Sequence, residues 1–169
     1  NEEDWTCFYT LNIHGGEAQL AFAVPYKAVK MKKAGNKLVL TVKYDYNKPD
    51  LSHMEEGEEK KASLKAWKEE EDYEVFDELP FWGNGQGYTN AKRNRYAIYD
   101  MGSGKLTYVA DDWTDCSQYS VLGNLLLYKA YPWKQGVMGI RPGVYLYNLS
   151  TGETKTLIAP DSMRTGVVS

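Results

Sequence analysis

The side chains that could perform nucleophilic catalysis are few in this sequence. It contains two histidines, His14 and His53, and two cysteines, Cys7 and Cys116. Hydrolysis through an acyl-enzyme needs an activated serine or cysteine, a nearby base, and donors for the developing oxyanion. Ser103 lies directly between two glycines, and no Gly-x-Ser-x-Gly nucleophile elbow occurs anywhere. We therefore expect this chain alone to hydrolyse no peptide or ester.

Other segments resemble functional motifs only superficially. His14-Gly-Gly could suggest an oxyanion hole, but it lies where a hairpin turn is expected. Gly83–Gly87 has neither the spacing nor the Lys-Ser/Thr of a phosphate-binding loop. His53 has no further ligands at metal-binding spacing, so we expect no metal site. Cys7 and Cys116 are too few for a disulfide framework, and we expect both to be reduced thiols in the core.

The composition is that of an ordinary globular protein, and it excludes several functions. The 169 residues are 43% hydrophobic and 25% charged, with a net charge of −3. This acidic balance argues against nucleic-acid binding, and no apolar run approaches the roughly 20 residues of a membrane span. No signal peptide opens the chain, so we expect a cytoplasmic protein. We also expect that the protein uses no cofactor. The absence of an initial Met suggests a piece of a longer chain.

Strand-forming segments dominate the sequence. It contains 14 tyrosines, and aromatic and β-branched residues fit the pleated surface of a sheet. Runs of such residues are bounded by Gly, Asn and Asp, which is typical of strands and turns. The predicted strands are Phe8–Ile13, Leu38–Tyr44, Arg95–Tyr99, Leu125–Tyr131 and Val144–Leu149.

Two turn markers recur along the chain with the same spacing. An Asn or Asp is followed four residues later by Gly at Asn12–Gly16, Asp100–Gly104 and Asn148–Gly152. This pattern predicts three equivalent hairpin turns, with the Asx side chain as a cap and a positive φ at Gly. The second marker is Gly35-Asn36, which recurs as Gly123-Asn124. Both markers recur after 88 residues, and the third copy of the first marker follows after 48. The shorter spacing is typical of four-stranded propeller blades.

The sequence therefore predicts an all-β fold. We expect residues 1–169 to form a partial β-propeller of about two and a half four-stranded blades. An insertion at residues 46–93, within one blade, accounts for the longer spacing, and its net charge is −5. In this insertion Ser52–Glu55 matches a capping box, and Leu64 and Trp67 share a face. These features predict one helix of about four turns that ends near residue 72.

Propellers close with roughly four to eight blades, so this chain leaves strand edges open. We expect these edges at Phe8–Ala23 and Met163–Val168, where the chain could associate with another copy. Lys30, Lys32 and Lys33 form a small basic cluster, which we interpret as a solvated strand edge.

Three segments carry a resemblance to a known family. Asn12–Ala18, Asp72–Thr89 and Arg95–Asp100 resemble the propeller of prolyl-oligopeptidase-family serine peptidases, in the acylaminoacyl-peptidase and dipeptidyl-peptidase-like branch. Members of this family also carry an α/β-hydrolase domain with a Ser-Asp-His triad, which is absent from this sequence. The resemblance implies a propeller fragment that gates and selects peptide substrates for a separate hydrolase domain. It assigns no catalytic residue to this chain.

The resemblance also suggests where peptide would bind. Phe81, Trp82, Asn84 and Tyr88 are the candidate substrate-binding residues, in a stretch expected to face the cavity between propeller and hydrolase. Carboxylates of Glu55–Glu59 or Glu69–Glu74 could hold a substrate N-terminus, as in dipeptidyl peptidases. That role needs two carboxylates that converge in a dry cavity, and we favour a solvated helix face.

Two other classes of function remain open. One is a non-catalytic propeller that serves as a scaffold for protein interaction, and the other is a sugar-active propeller such as a lyase. A lyase would need a cluster of His and Arg or a metal site, which two histidines disfavour. A nucleophile elbow further along the parent chain would favour the peptidase, whereas additional blades would favour the scaffold.

Overall fold

The computed structural model describes residues 5–24, 27–47, 57–69, 73, 76, 78, 82–83, 87–88, 90–111, 114–134 and 137–162. The chain divides into two compact units. Residues 1–44, 93–134 and 138–169 form the first unit, and residues 45–92 with 135–137 form the second.

The described residues form thirteen strands and one helix. In chain order these are β1 (Thr6–Thr10), β2 (Gln19–Val24), β3 (Lys27–Ala34), β4 (Lys37–Asp45), α1 (Glu58–Glu69), β5 (Trp82–Gly83), β6 (Gly87–Tyr88), β7 (Lys92–Asp100), β8 (Leu106–Tyr108), β9 (Thr114–Leu122), β10 (Leu125–Lys134), β11 (Val137–Met138), β12 (Gly143–Asn148) and β13 (Thr154–Ile158).

The described strands assemble into antiparallel sheets, and among these residues no sheet is closed. β1 pairs with β2, and a four-stranded sheet has the order β3-β4-β7-β8. A third sheet holds β9, β10, β12 and β13 in that order, together with β11, and β5 pairs with β6. The all-β fold with one helix, predicted from the sequence, is confirmed.

The hairpins repeat in register as well as in sequence spacing. Residues nine apart are paired in each of three hairpins: Thr10 with Gln19, Ile98 with Thr107, and Leu146 with Lys155. The register then shifts at the same place in two of them, between Phe8 and Tyr9 in β1 and between Val144 and Tyr145 in β12. Such a shift marks a β-bulge, which adds local twist.

The two hairpins closed by Gly-Asn turns, β3–β4 and β9–β10, share a bulge of their own. The pairing of β3 with β4 shifts between Ala28 and Lys30, and that of β9 with β10 shifts between Lys129 and Ala130. The residues opposite Lys129 and Ala130 are Gln118 and Cys116, which lie 88 residues after Lys30 and Ala28. The 88-residue repeat read from turn residues therefore extends to backbone irregularities that no turn residue announces.

Two of the three predicted Asx-Gly turns are equivalent in detail. The carbonyl oxygens of Asp100 and Asn148 each accept the amide of the glycine four residues later, at 2.8 Å. Gly104 and Gly152 have φ values of 69° and 78°. The third turn differs, because the carbonyl of Asn12 accepts the amide of Gly15 instead. The Gly15-Gly16 pair provides two positive φ values, and the β1–β2 ladder ends at the pair of Thr10 and Gln19, one pair earlier than in the other two hairpins. The predicted equivalence of Gly16 was therefore wrong in its detail.

In each of the two larger sheets, the Gly-Asn turn is hydrogen-bonded to the Asx turn of the same sheet. Gly35 and Gly123 have φ values of 60° and 56°, as the first central residue of a type II′ hairpin turn requires. The carbonyl of Asn36 accepts the amide of Met101 at 3.0 Å. The carbonyl of Asn124 accepts the amide of Leu149 at 2.8 Å, so the same hydrogen bond occurs in both sheets.

The first unit has two hydrophobic clusters that meet at β4. Leu38, Leu40 and Val42 belong to one cluster, which also includes partly buried Phe8 and Phe22. Val39 belongs to the other cluster, which takes in residues of β7, β9, β10 and β12. Because successive strand residues face opposite sides, β4 is covered on both faces.

Four local predictions need correction or qualification. Cys7 is exposed rather than in the core, because Phe8 occupies the inward position of β1 and stacks on Phe22 with ring centroids 4.5 Å apart. The predicted strand Phe8–Ile13 ends at Thr10. The helix is described from Glu58 to Glu69, with Leu64 and Trp67 half-buried, while the Ser52 capping box lies outside the described residues. The predicted strand Met163–Val168 also lies outside them.

The Asx cap of the second turn gives a test of turn chemistry. The Oδ1 atom of Asp100 accepts the amides of Gly102 at 3.0 Å and Ser103 at 2.9 Å. These bonds, led by that from Ser103, lower the pKa of the Asp100 carboxyl. We expect Asp100→Ala to lower Tm, and Asp100→Asn to lower it less, since Asn12 and Asn148 act as caps in the other turns.

The pH dependence of this cap follows from the direction of the shift. A lowered carboxyl pKa stabilises the fold above about pH 3.9, the usual pKa of Asp, and this contribution is lost as pH falls through the folded-state pKa. Tm measured between pH 2.5 and 7 should therefore fall more steeply at acid pH in the parent than in Asp100→Asn. Parallel curves for the two proteins would contradict the assignment.

A second prediction concerns the core. Leu126 is 0% exposed in the cluster shared by the two larger sheets. Leu126→Ala should lower the free energy of unfolding by about 2–5 kcal/mol, measured by urea titration, because it removes buried methyl groups and leaves a cavity. Leu122, in the same hairpin, is 81% exposed and provides the matched control. Leu122→Ala should change stability by no more than about 0.5 kcal/mol; equal losses would show that this cluster is not the core.

Candidate functional site

Two of the four predicted substrate-binding residues lie within the described part of the second unit. Trp82 begins β5 and Tyr88 ends β6, and the register pairs these two residues directly. The pairing of Gly83 with Gly87 continues the hairpin. Phe81 and Asn84 lie outside the described residues. The backbone thus places Trp82 and Tyr88 at neighbouring positions of one small hairpin.

The ring of Tyr88 contributes to a small aromatic surface. Its side chain is 44% exposed and contacts Phe76 edge to face, with ring centroids 5.2 Å apart. Phe76 is itself 45% exposed. Edge-to-face pairs of this kind fix the orientation of two rings while part of each stays accessible. Sequence reasoning did not select Phe76, although it lies in the same Asp72–Thr89 segment.

Hydrogen bonds in the second unit join the start and the end of the segment between β4 and β7, which carries these rings. The amide of Tyr46 donates to the carbonyl of Ala91 at 3.0 Å, and the amide of Ala91 donates to a Glu78 carboxylate oxygen at 2.5 Å. Asn47 donates from its side chain to the carbonyl of Asn90 at 3.1 Å, and Asn90 is buried. The two ends of the segment are therefore held together by both backbone and side-chain bonds.

Ala91 adopts a conformation that costs free energy. Its φ is 51°, in the left-handed region that residues with a Cβ atom rarely occupy. The hydrogen bonds on both its amide and its carbonyl compensate for this strain. No residue type in the sequence indicates this position, because Ala is not a residue associated with positive φ.

The helix does not provide a dry carboxylate pair among its described residues. Glu58 pairs with Lys61 at 3.2 Å and Glu69 pairs with Lys65 at 3.7 Å, and all four side chains are mostly exposed. Glu59 is also exposed. Exposed pairs of this kind contribute little stability and leave the carboxylates solvated. The described carboxylates fit the interpretation as a solvated face.

The first unit contains two buried arginines that pack on aromatic rings. The Arg93 guanidinium lies 3.6 Å from the ring centroid of Trp133. Arg95 lies 4.0 Å from Tyr108 and 5.3 Å from Tyr44, and it donates to the carbonyl of Ala110 at 3.3 Å. Cation–π contacts of desolvated groups are worth about 2 kcal/mol. These contacts hold the start of β7 against the ends of three other strands, and sequence reasoning did not identify them.

The candidate nucleophiles and bases are placed in structural roles. His14 lies in the first hairpin loop, where its amide donates to Asn12 Oδ1 at 3.0 Å. The Ser103 hydroxyl accepts the amide of Lys105 at 3.4 Å within the second turn. Burial raises the pKa of the Cys116 thiol to about 12, so this thiol stays protonated near neutral pH. His53 lies outside the described residues.

In the part of the chain that the structure describes, no group of three or more His, Cys, Asp or Glu side chains is placed to hold a metal ion. No helix within that part is long and apolar enough to cross a membrane.

Comparison with known proteins identifies the fold. No family model matches the chain, and no curated protein matches its sequence. Over 94% of its length the chain is similar to an acylaminoacyl peptidase in complex with Z-Gly-Gly-Phe-chloromethyl ketone, with a TM-score of 0.57 and 10% identity. Over 85% of its length it is similar to Pyrococcus horikoshii acylaminoacyl peptidase in an orthorhombic crystal form, with a TM-score of 0.51 and 10% identity.

The likeness covers only part of those proteins. The chain spans 22% of the first and 20% of the second, or about a fifth of their length. The resemblance to acylaminoacyl peptidase that the residues predict is confirmed at the level of the fold, which fits a propeller fragment.

Proposed function

We propose that this chain is part of the propeller of a serine peptidase similar to acylaminoacyl peptidase, and that it selects and gates peptide substrates for a hydrolase domain outside these residues. The observation that carries the proposal is the fold likeness to acylaminoacyl peptidase over 94% of the chain. The absence of a nucleophile elbow in the sequence is consistent with a role apart from the chemical step.

The proposal includes about two and a half blades. β3-β4-β7-β8 would form one blade and β9-β10-β12-β13 the next, with their bulges 88 residues apart. The hairpin of β1 and β2 has the register of the third and fourth strands of those sheets, so it would be half of another blade. The segment between β4 and β7 is then an insertion between the second and third strands of its blade.

Phe81, Trp82, Asn84 and Tyr88 are the residues proposed to contact peptide. The half-exposed rings of Tyr88 and Phe76 support this assignment, because aromatic surfaces bind apolar side chains at low entropic cost. One of the similar structures holds Z-Gly-Gly-Phe-chloromethyl ketone, a short peptide derivative that ends in an aromatic residue. A ligand of this class is therefore the appropriate probe for the site.

Binding of such a peptide is the first test of the proposal. We expect Z-Gly-Gly-Phe amide to shift the Tyr88 resonances in NMR spectra of the full chain. Tyr88→Ala should weaken binding of this peptide at least about 5-fold, which corresponds to a loss of roughly 1 kcal/mol of binding free energy. Tyr73 is 82% exposed in the same unit and serves as the matched control. Equal affinities of Tyr88→Ala and Tyr73→Ala, or no binding by the parent, would overturn the assignment.

The second test concerns catalysis. The chain alone should release no fluorophore above background from a Z-Gly-Gly-Phe aminomethylcoumarin substrate, because Ser103 is a turn residue and Cys116 is a buried thiol. Ser103→Ala is the control. Turnover that follows the chain through purification and disappears in Ser103→Ala would show that the chain is itself a hydrolase.

A further inference from the structure

Strand β3 is strongly basic although the chain as a whole is acidic. Its lysines are Lys27, Lys30, Lys32 and Lys33, and all of them are exposed. The net charge of the chain is −3. Among the described residues, none of these four ammonium groups forms an ion pair. β3 is therefore a local basic surface on an acidic protein.

The bulge in β3 brings three of these lysines to one face of the sheet. Directly paired residues of two strands share a face, and Lys27, Lys30 and Lys32 pair with every second residue of β4. Without the bulge that precedes Lys30, Lys27 would lie on the opposite face. The three side chains therefore follow one another at the spacing of alternate strand residues, which is about 7 Å.

Lys43 of β4 extends this row of charges. It is exposed, and it lies directly opposite Lys27. Like charges that lie directly opposite each other destabilise a strand pair, so an anion bound between these two would relieve a cost. We call Lys27, Lys30, Lys32 and Lys43 the lysine row. Lys33 pairs with Leu38 instead and lies on the other face.

The fold does not require lysine at these four positions. The hairpin β9–β10 repeats the register and the bulge of β3–β4 at a distance of 88 residues. In that hairpin the counterparts of the lysine row are Asp115, Gln118, Ser120 and Tyr131. None of these residues is basic, so an equivalent strand pair forms with a different charge. The lysine row is thus a property of this copy of the repeat rather than of the repeat itself.

The acidic residues of the strands beside β3 are engaged elsewhere. In β9, which contacts β3, the acidic residue is Asp115. Its Oδ1 atom accepts the Asn94 amide at 2.8 Å and the Asn94 side chain at 3.3 Å. In β4 the acidic residue is Asp45, whose Oδ1 atom accepts the Asn47 amide at 3.0 Å. The lysine row therefore presents its positive charge to solvent.

The contact between β3 and β9 also suggests where the lysine row lies in a propeller. These two strands are the first strands of the two proposed blades. Blades arranged around an axis approach one another most closely near that axis, where a propeller has its channel. The contact would therefore place the lysine row on the channel side of its blade.

We propose that the lysine row binds an extended peptide with carboxylates at alternate positions, and that it selects acidic peptides for the hydrolase domain. The identification of this ligand as a substrate rests on the proposed function. Alternate side chains of an extended peptide lie about 7 Å apart on one side, so Asp or Glu at every second position matches the three ammonium groups of β3. Positive charge along a channel also raises the local concentration of an acidic ligand.

A nucleic acid fits the lysine row less well than an acidic peptide. β3 contains no aromatic residue on which a base could stack. The net charge of −3 also opposes a polyanion that carries a charge on every unit. A short peptide with carboxylates and without aromatic residues is therefore the appropriate probe.

The test compares three short peptides, each acetylated and amidated, by calorimetric titration of the full chain. They are Glu-Thr-Glu-Thr-Glu, its analogue Gln-Thr-Gln-Thr-Gln, and Thr-Glu-Glu-Glu-Thr, which has the composition of the first. In about 20 mM NaCl, where screening is weak, the first peptide should bind at least about 10-fold more tightly than the second and about 3-fold more tightly than the third. Equal affinities within either pair would overturn the proposal, as would tighter binding of a thymidine octanucleotide.

Two double variants remove the same charge from different places. Lys30→Gln with Lys32→Gln should weaken binding of the first peptide at least about 5-fold. Lys105→Gln with Lys155→Gln changes exposed residues of the same unit outside the lysine row, and it should alter this affinity less than about 2-fold. Because all four side chains are exposed, both variants should keep the Tm of the unmodified chain. Equal weakening by the two variants would overturn the proposal.

Binding of Z-Gly-Gly-Phe amide separates this inference from the proposed function. This ligand has no carboxylate, so both double variants should bind it as the unmodified chain does. Loss of the preference for acidic peptides, with this binding retained, would overturn the inference alone. Preferential binding of the first peptide by the lysine row, without binding of Z-Gly-Gly-Phe amide, would support the inference and contradict the proposed substrate site.

Discussion

The rest of the first unit depends on one hydrogen bond that occurs in each of the two larger sheets. In this bond the carbonyl of the Gly-Asn turn accepts the amide of the residue that follows the Asx cap. In one sheet Asn36 accepts from Met101, and in the other Asn124 accepts from Leu149. The contact fixes β4 against β7 in one sheet and β10 against β12 in the other. A slip of one residue in either pair would turn every side chain to the opposite face. Lys37 also donates from its ammonium group to the carbonyl of Leu149, so the turn regions of neighbouring sheets are joined.

The aromatic core follows from this register. Because β7 is fixed, the ring of Tyr96 packs edge to face on the rings of Tyr119 and Tyr128, with ring centroids 5.0 Å and 5.9 Å apart respectively. Burial raises the pKa of Tyr96 and Tyr128, so their hydroxyls remain neutral in the core. At the other face Phe22 stacks between Phe8 and Tyr99. Several of the tyrosines thus serve packing between sheets, where each ring contributes a large apolar area.

Sequence reasoning predicts the parts of this fold that local chemistry determines. Gly and Asx residues have conformational preferences of their own, so the turns at Gly35, Gly104, Gly123 and Gly152 could be placed, and the strands follow between them. The bulges could not be placed, because they depend on how two strands share hydrogen bonds. The outward position of Cys7 could not be predicted either, since the alternation in β1 does not reveal which face is covered.

The candidate site was only partly predictable for a related reason. Tyr88 and Trp82 were selected from a motif, and the structure pairs them across one hairpin. Phe76 joins through a ring contact that no periodicity announces. The strained φ of Ala91 depends on Glu78, thirteen residues away in sequence. Non-local contacts of this kind leave no signal in a single sequence.

Arg95 helps to hold β4 and β7 in register although a long stretch of chain separates these two strands. β4 ends at Asp45 and β7 begins at Lys92, so these two strands lack the short turn that joins the strands of the hairpins. Arg95 of β7 contacts Tyr44 of β4, so a cation–π contact joins the two strand ends that a turn would otherwise join. Arg95 also contacts Tyr108 of β8, and Arg93 packs on Trp133 of β10. At the opposite end the Asn36–Met101 bond performs the same service. Both ends of the β4–β7 pair are thus held by contacts within the first unit, so the register of this pair does not depend on the residues between the two strands.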